Sequence, residues 1–170
     1  HRLHFDLRPR AQKGFNMKTV ILCGGLGTRL REETEYKPKP MVEIGGRPIL
    51  WHIMKAYSHH GFREFVLCLG YKGSVIKNYF LSYEAMNNDF TIRLGRHSSL
   101  DFNGSHGEQD YSVTLADTGL STMTGGRVRR VEKYIGNATF MATYGDGVSN
   151  LDLEELVRFH KSHGRIATLT

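Results

Sequence analysis

KTVILCGG, residues 18–25, is an unbroken apolar and β-branched run that ends on two glycines. A run without polar alternation is what a strand buried on both faces looks like, and such strands belong to parallel sheets covered by helices. The pattern recurs along the chain. Residues 65–69 (FVLCL) read as the next buried strand, and between the two runs residues 48–60 place Ile49, Ile53 and Tyr57 on one helical face beside Leu50 and Met54. That helix opens on Pro48 and stops at Gly61. Residues 74–86 predict a helix carrying Ile76, Tyr79, Phe80 and Tyr83, and 90–94 a third strand. Residues 111–116 alternate like a strand, 125–135 read as a short basic helix, and 140–144 as a strand ending at Gly145-Asp146-Gly147. A helix capped by Asn150 is expected over 151–163, and the beginning of another strand over 166–170. Trp51 and the tyrosines and phenylalanines at helical spacing read as core. The polar stretch 95–110 exceeds an ordinary connection and is expected to be mobile or functional.

Strands separated by helices imply a doubly wound, mostly parallel sheet with right-handed crossovers. Ligands of such sheets bind outside the carboxyl ends of the strands at a topological switch point, which nominates the loops after Cys23, Ala116 and Tyr144.

The composition agrees with a single folded domain. The chain has 170 residues, 39% apolar and 24% charged, and no apolar run approaches the roughly 18–20 residues that span a bilayer. Half of the net charge of +6 sits in the first sixteen residues, where Arg2, Arg8, Arg10 and Lys13 face only Asp6. From Met17 onward bases and acids nearly balance, and no stripe of alternating arginine and aromatic residues tracks a phosphate backbone. Neither a nucleic-acid partner nor a membrane is therefore expected. Residues 1–16 lack helical or strand periodicity and the apolar region of a signal peptide; they read as a disordered or non-native leader, with Met17 as the natural start and 17–170 as the domain. Cys23 and Cys68 lie inside apolar runs, as free thiols in a reducing cytosol do.

Four features carry chemistry. Gly24-Gly25-Leu26-Gly27-Thr28-Arg29 follows a strand and can close backbone N–H groups on an anion, with Thr28 and Arg29 adding donors. A Walker loop needs Gly-Lys-Ser/Thr, which is absent, and the dinucleotide fingerprint needs a glycine where Leu30 stands. Lys37-Pro38-Lys39-Pro40 holds two cations on a stiffened segment, and together with the glycine loop reads as a polyphosphate clamp. Asp146 between two glycines can lend a hard oxygen to Mg²⁺. Asp117-Thr118-Gly119 and Met123-Thr124-Gly125-Gly126-Arg127 offer hydroxyls, backbone and a guanidinium to a ribose, a base edge or a sugar phosphate. An NAD-binding alternative requires an acid at the end of the second strand, where Leu69-Gly70 stands. His160 and His163 share a helical face, but nothing is placed to complete a metal tetrahedron.

GGLGTRLREET, KPKPMVEIGGRPILWHIM, DTG, MTGGR and TYGDGV resemble the sugar-1-phosphate nucleotidyltransferases, and the similarity runs from Met17 to Thr170. The resemblance implies a Rossmann-like, nucleotide-diphospho-sugar transferase fold, CTP and Mg²⁺ as ligands, glucose 1-phosphate as acceptor, a place in CDP-sugar and lipopolysaccharide synthesis, and a homo-oligomer. Carried over, Leu22, Gly24, Gly25, Leu26, Gly27, Thr28, Thr118 and Gly145 bind the nucleotide. Arg29 acts on the departing pyrophosphate and Lys39 on the α-phosphate. Ser121, Thr124 and Arg127 line the nucleotide and sugar side, and Asp146 holds the metal. Members of the family continue beyond the strand expected at 166–170 and supply a second metal-binding aspartate there, so the domain is expected to be C-terminally truncated.

Overall fold

The computed structural model describes residues 17–25, 36–95 and 98–170. Its centre is a four-stranded sheet of β1 (Thr19–Leu22), β4 (Glu64–Leu69), β7 (Ser112–Asp117) and β8 (Met141–Tyr144) in the order β7-β4-β1-β8. Every ladder is parallel: Thr19 pairs with Phe65 on one side and Met141 on the other, and Phe65 with Val113. The chain moves outward from β1 to β4 to β7, then returns to lay β8 on the far side of β1. That reversal puts the switch point between β1 and β8.

Strand alternation explains why both faces need cover. Ile21, Cys23, Phe65, Leu67 and Leu69 point to one face, where Leu50, Ile53 and Met54 of α1 (Ile49–His59) and Ile76 of α2 (Gly73–Leu81) pack on them. Val20, Val66, Cys68 and Ala116 point to the other, against Val131 and Ile135, the latter closing α5 (Glu132–Ile135) behind the short α4 (Thr124–Arg130). A third cluster joins Met17 and Phe62 to Leu153 and Val157 of α6 (Leu153–His163). Two small antiparallel ribbons lie outside the sheet: β2 (Glu43–Ile44) with β3 (Arg47–Pro48), and β5 (Asp89–Arg93) with β6 (Ser99–Asn103).

Several expectations are corrected. The helix over 74–86 breaks at Ser82 (φ −93°, ψ 0°) into α2 and α3 (Tyr83–Asn87). The strand at 90–94 does not enter the parallel sheet. It pairs with Leu100-Asp101-Phe102-Asn103, whose alternation is itself a strand signal, so Phe90 faces Phe102 and Ile92 faces Leu100 on one exposed side. The cap of α6 is Asp152, whose carboxylate accepts from Glu155 N at 2.9 Å, rather than Asn150; Asp-x-x-Glu is capping-box spacing. Residues 166–170 form no strand: Ile166 and Leu169 are exposed, and the Thr168 hydroxyl meets His160 Nδ1 and His163 Nε2 at 2.9 and 2.8 Å.

The long polar stretch is anchored rather than loose. Glu108 accepts from Lys55 Nζ at 2.7 Å and from the Tyr83 hydroxyl at 3.2 Å, while Trp51 Nε1 donates to that same hydroxyl at 3.0 Å. The Glu108 amide donates to His106 Nδ1, which leaves Nε2 to donate to Glu84 at 3.0 Å. Trp51 is thus half-buried, a wall of a cavity of about 280 Å³ beside β7, and not part of the core. Burial works to raise the Glu108 carboxyl, but Lys55 and Tyr83 outweigh it and hold the group below the ordinary glutamate range. A depressed carboxylate stabilises above its unfolded value and loses that contribution as pH falls through the folded one. Glu108→Gln is expected to cost about 1 kcal/mol at pH 7, discounted for the solvent around Lys55, with a smaller deficit at an acidic pH below the ordinary glutamate range, because the contribution is lost as pH falls through the lowered folded value. Urea unfolding at the two pH values checks this; a deficit independent of pH contradicts it.

Candidate active site

The register aligns Leu22 with Tyr144, so Cys23-Gly24-Gly25 and Gly145-Asp146-Gly147 leave the sheet side by side at the switch point. Gly145 N donates to Leu22 O at 3.1 Å. A Cβ on Gly145 would stand 3.0 Å from Cys23 Sγ and from Pro40 Cγ, so only glycine lets the proline segment close onto the strand end. Pro38 is extended (φ −70°, ψ 152°), Pro40 and Met41 are buried, and Lys39 opens the 3-10 turn between them. This packing carries Lys39 Nζ to 3.4 Å from Asp146 Oδ2, across 107 residues of sequence. Lys37 turns elsewhere and pairs with Glu43 at 3.2 Å. Of the two lysines of Lys37-Pro38-Lys39-Pro40 only Lys39 therefore reaches Asp146: in a fully extended segment residues two apart would share a face, but the chain leaves the extended form at Lys39, where the 3-10 turn begins and Pro40 docks.

A cleft of about 310 Å³ opens here. Leu22, Cys23, Gly24 and Gly25 line it with Lys39 and Pro40, together with Thr122, Met123, Thr124, Arg127, Tyr144 and Asp146. Arg127 is buried, 5% exposed. Its Nη1 donates to Leu69 O at 3.1 Å, Thr118 Oγ1 at 2.7 Å and Gly119 O at 2.8 Å; its Nη2 donates to Gly24 O at 2.9 Å and Leu120 O at 3.2 Å. One guanidinium thus ties together the loops after β1, β4 and β7. A Cβ on Gly24 would overlap that guanidinium, and one on Gly70 would stand 2.7 Å from Nη1 and 2.8 Å from Gly24 O. The end of β4 therefore has neither an acid nor room for one, which speaks against the NAD-binding alternative.

The geometry gives Thr118 and Arg127 protein partners. Thr118 is fully buried, donating to Leu69 O at 2.6 Å and accepting from Arg127, so its side chain holds the floor instead of reaching a nucleotide. Arg127 also lines the cleft, and the five hydrogen bonds of its terminal nitrogens go to protein acceptors that include the glycine loop. Leu22, Gly24, Gly25, Thr124, Gly145, Lys39 and Asp146 converge on the cleft or its rim. Ser121 is exposed one residue before the cleft-lining Thr122. Leu26, Gly27, Thr28 and Arg29 lie outside the described residues, as does the leader at 1–16. Thr122 and Tyr144 also line the cleft without being named as candidates by the sequence; Pro40 and Met123 belong to motifs singled out for their neighbours Lys39 and Thr124.

Among the described residues no group of three or more His, Cys, Asp or Glu side chains gathers as a metal cage. Asp146 offers one carboxylate beside an open cleft, which suits a hard cation that completes its shell with phosphates and water. Burial pushes the Cys23 thiol upward and the Cys68 thiol up to about 11, and both thiols are free. Thiolate is the reactive form, so neither should react with a disulfide reagent at neutral pH until the protein is denatured, when both should titrate. Rapid labelling of the folded protein would contradict their placement.

Residues 18–170 match the Nucleotidyl transferase family, and the chain belongs to it. Its curated relatives include the glucose-1-phosphate cytidylyltransferase of Salmonella typhimurium, 55% identical over 91% of this chain and 60% of that protein. The probable glucose-1-phosphate cytidylyltransferase of Bacillus subtilis is 47% identical over 91% of this chain and 59% of its own length. The chain thus spans about 60% of the relatives it matches. Among solved structures, HddC from Yersinia pseudotuberculosis complexed with GMP-PN superimposes with a TM-score of 0.62 at 26% identity, covering 85% of this chain and 54% of that one. A putative glucose-1-phosphate thymidylyltransferase from Bacillus anthracis gives 0.63 at 18% identity over 87% and 51%, a likeness of fold. The doubly wound, mostly parallel sheet is the architecture these neighbours share. Among the described residues no helix is long and apolar enough to cross a membrane.

Proposed function

We propose that the chain carries the nucleotide-binding part of a cytidylyltransferase that joins CTP to glucose 1-phosphate, giving CDP-glucose and pyrophosphate. The observation that carries this reading is the meeting of Lys39 and Asp146 beside Gly24 and Gly25 at the switch point. The choice of cytosine rests on the 55% identity with the Salmonella protein, since no side chain of the cleft singles out that base.

The reaction needs no covalent intermediate. A phosphate oxygen of glucose 1-phosphate attacks the α-phosphorus of CTP; the new P–O bond forms as the bond to the β-phosphate oxygen breaks, and pyrophosphate leaves with that electron pair. Catalysis is then positioning and charge. Gly24 and Gly25 let the triphosphate approach the backbone, held in place from below by Arg127 and Thr118. Lys39 sets its ammonium against the α-phosphate, where negative charge is redistributed during attack. Asp146 would hold Mg²⁺ with the phosphates; the ion supplies charge neutralisation for the leaving group. Arg29 is proposed for the pyrophosphate side.

The test is release of pyrophosphate from CTP and glucose 1-phosphate with Mg²⁺, by this chain and by a chain extended to the length of its relatives. Release by the extended chain, lost when Asp146→Asn is introduced, supports the assignment. Activity with UTP or dTTP but not CTP overturns the base; no activity with any triphosphate overturns the function.

A further inference from the structure

The Lys39–Asp146 pair joins two groups that the proposed function assigns to different partners, the α-phosphate and the metal. The ammonium sits 3.4 Å from the carboxylate oxygen, at 23% side-chain exposure against 42% for the aspartate. Backbone movement will not separate them. Met41 N donates to Pro38 O at 2.8 Å and Val42 N to Lys39 O at 3.0 Å, which closes the turn, and Met41 is anchored in the core. Pro40 is wedged against Gly145, and Gly145 is bonded to Leu22. Only the side chains can swing. A cation arriving at Asp146 therefore meets an oxygen already facing an ammonium, and both charges compete for it at a distance where like charges repel.

We propose that Lys39 is a placeholder for the metal at Asp146. The ammonium occupies the carboxylate while the cleft is empty and swings to the α-phosphate when a triphosphate arrives, freeing Asp146 for the divalent cation that enters with the phosphates. The proposal rests on the reading of Asp146 as the metal residue. Its consequence is an order: the cation binds weakly by itself and strongly as the nucleotide complex, because the triphosphate carries both the cation and the acceptor that draws Lys39 away. Linkage makes the coupling reciprocal, so a protein lacking the Lys39 charge loses part of the cooperation between the two ligands. This guards the site against holding metal without substrate.

The experiment is a calorimetric titration of the folded protein with Mn²⁺ alone, without nucleotide, on wild type, Lys39→Met, Lys39→Arg and the double variant Lys39→Met/Asp146→Asn. Thermal unfolding of each verifies that it is folded. Lys39→Met should bind Mn²⁺ about tenfold more tightly than wild type, since it removes both the competitor and its repulsion. Lys39→Arg should stay near wild type, because a cation still faces the carboxylate, and the double variant should lose the gain. Equal affinities in wild type and Lys39→Met overturn the exchange. A second titration, of Mn²⁺ with CTP on wild type and Asp146→Asn, separates the two readings: binding lost in Asp146→Asn supports Asp146 as the metal residue, so that equal affinities in the first titration overturn the exchange alone, whereas binding as in wild type overturns exchange and metal reading together.

Discussion

Arg127→Ala should lose about 3 kcal/mol or more of folding free energy, and with it the nucleotide cleft. Hydrogen bonds from a charged donor contribute roughly 1.5–3 kcal/mol each when buried, and stranded acceptors bear a desolvation cost of about 1–3 kcal/mol. Five acceptors, Leu69 O, Thr118 Oγ1, Gly119 O, Gly24 O and Leu120 O, receive from this one guanidinium, although Leu69 O also accepts from Thr118 N and Oγ1 and Gly24 O from Tyr71 N. The total is far below their sum, since burying the charge itself opposes folding and water can enter the space left behind. Even about 3 kcal/mol is a large part of the 5–15 kcal/mol that holds a domain together. Lysine will not rescue it, because a single ammonium cannot reproduce a fork that spans three loops. Denaturant unfolding together with CTP titration is the measurement. Stability within about 0.5 kcal/mol of wild type, or unaltered CTP affinity in a folded variant, would remove Arg127 from this role.

Lys39→Ala in the extended chain should leave folding intact, since the side chain lies at the cleft rim, and lower turnover by about 10²–10³, equal to roughly 3–4 kcal/mol of transition-state stabilisation. Affinity for CTP should change far less. The triphosphate keeps its backbone contacts, while the charge that builds at the α-phosphorus loses its partner. Steady-state rates beside a direct binding titration separate the two effects. An unchanged kcat would take Lys39 out of catalysis; a loss confined to CTP affinity would make it a ground-state binding residue.

The sheet was legible because its strands announce themselves: Val20-Ile21-Leu22 and Val66-Leu67-Cys68 have no polar alternation, and each is followed by glycine at the carboxyl end. From that alternation of strands and helices came the switch-point argument, which led to the loops where Gly24, Gly25 and Asp146 now meet. Partnership was less visible. Nothing in the composition of Thr118 or Arg127 says that they bond to each other beneath the cleft; a threonine and an arginine in a glycine-rich loop look like ligand donors until burial is known. Lys37 and Lys39 are equivalent in the sequence, and only the docking of Pro40 on Gly145 separates them. The β5–β6 ribbon was hidden for another reason. Leu100 and Phe102 alternate correctly, but they sit inside a stretch whose polar composition suggested a loop. Asp152 outcompeted Asn150 as a cap because its oxygen stands three residues before the amide it accepts from.

The central claim is that the cleft between the ends of β1 and β8 receives a cytidine triphosphate with its metal. It is met most directly by calorimetric titration of the chain with CTP and Mg²⁺, using UTP, dTTP and NAD as controls, and Gly24→Ala, shown to be folded by thermal unfolding, as the variant whose added Cβ displaces the Arg127 guanidinium from the glycine loop. Selective binding of CTP, absent from Gly24→Ala, is the predicted result. Binding of NAD in place of CTP, or CTP affinity untouched in a folded Gly24→Ala protein, would contradict the account.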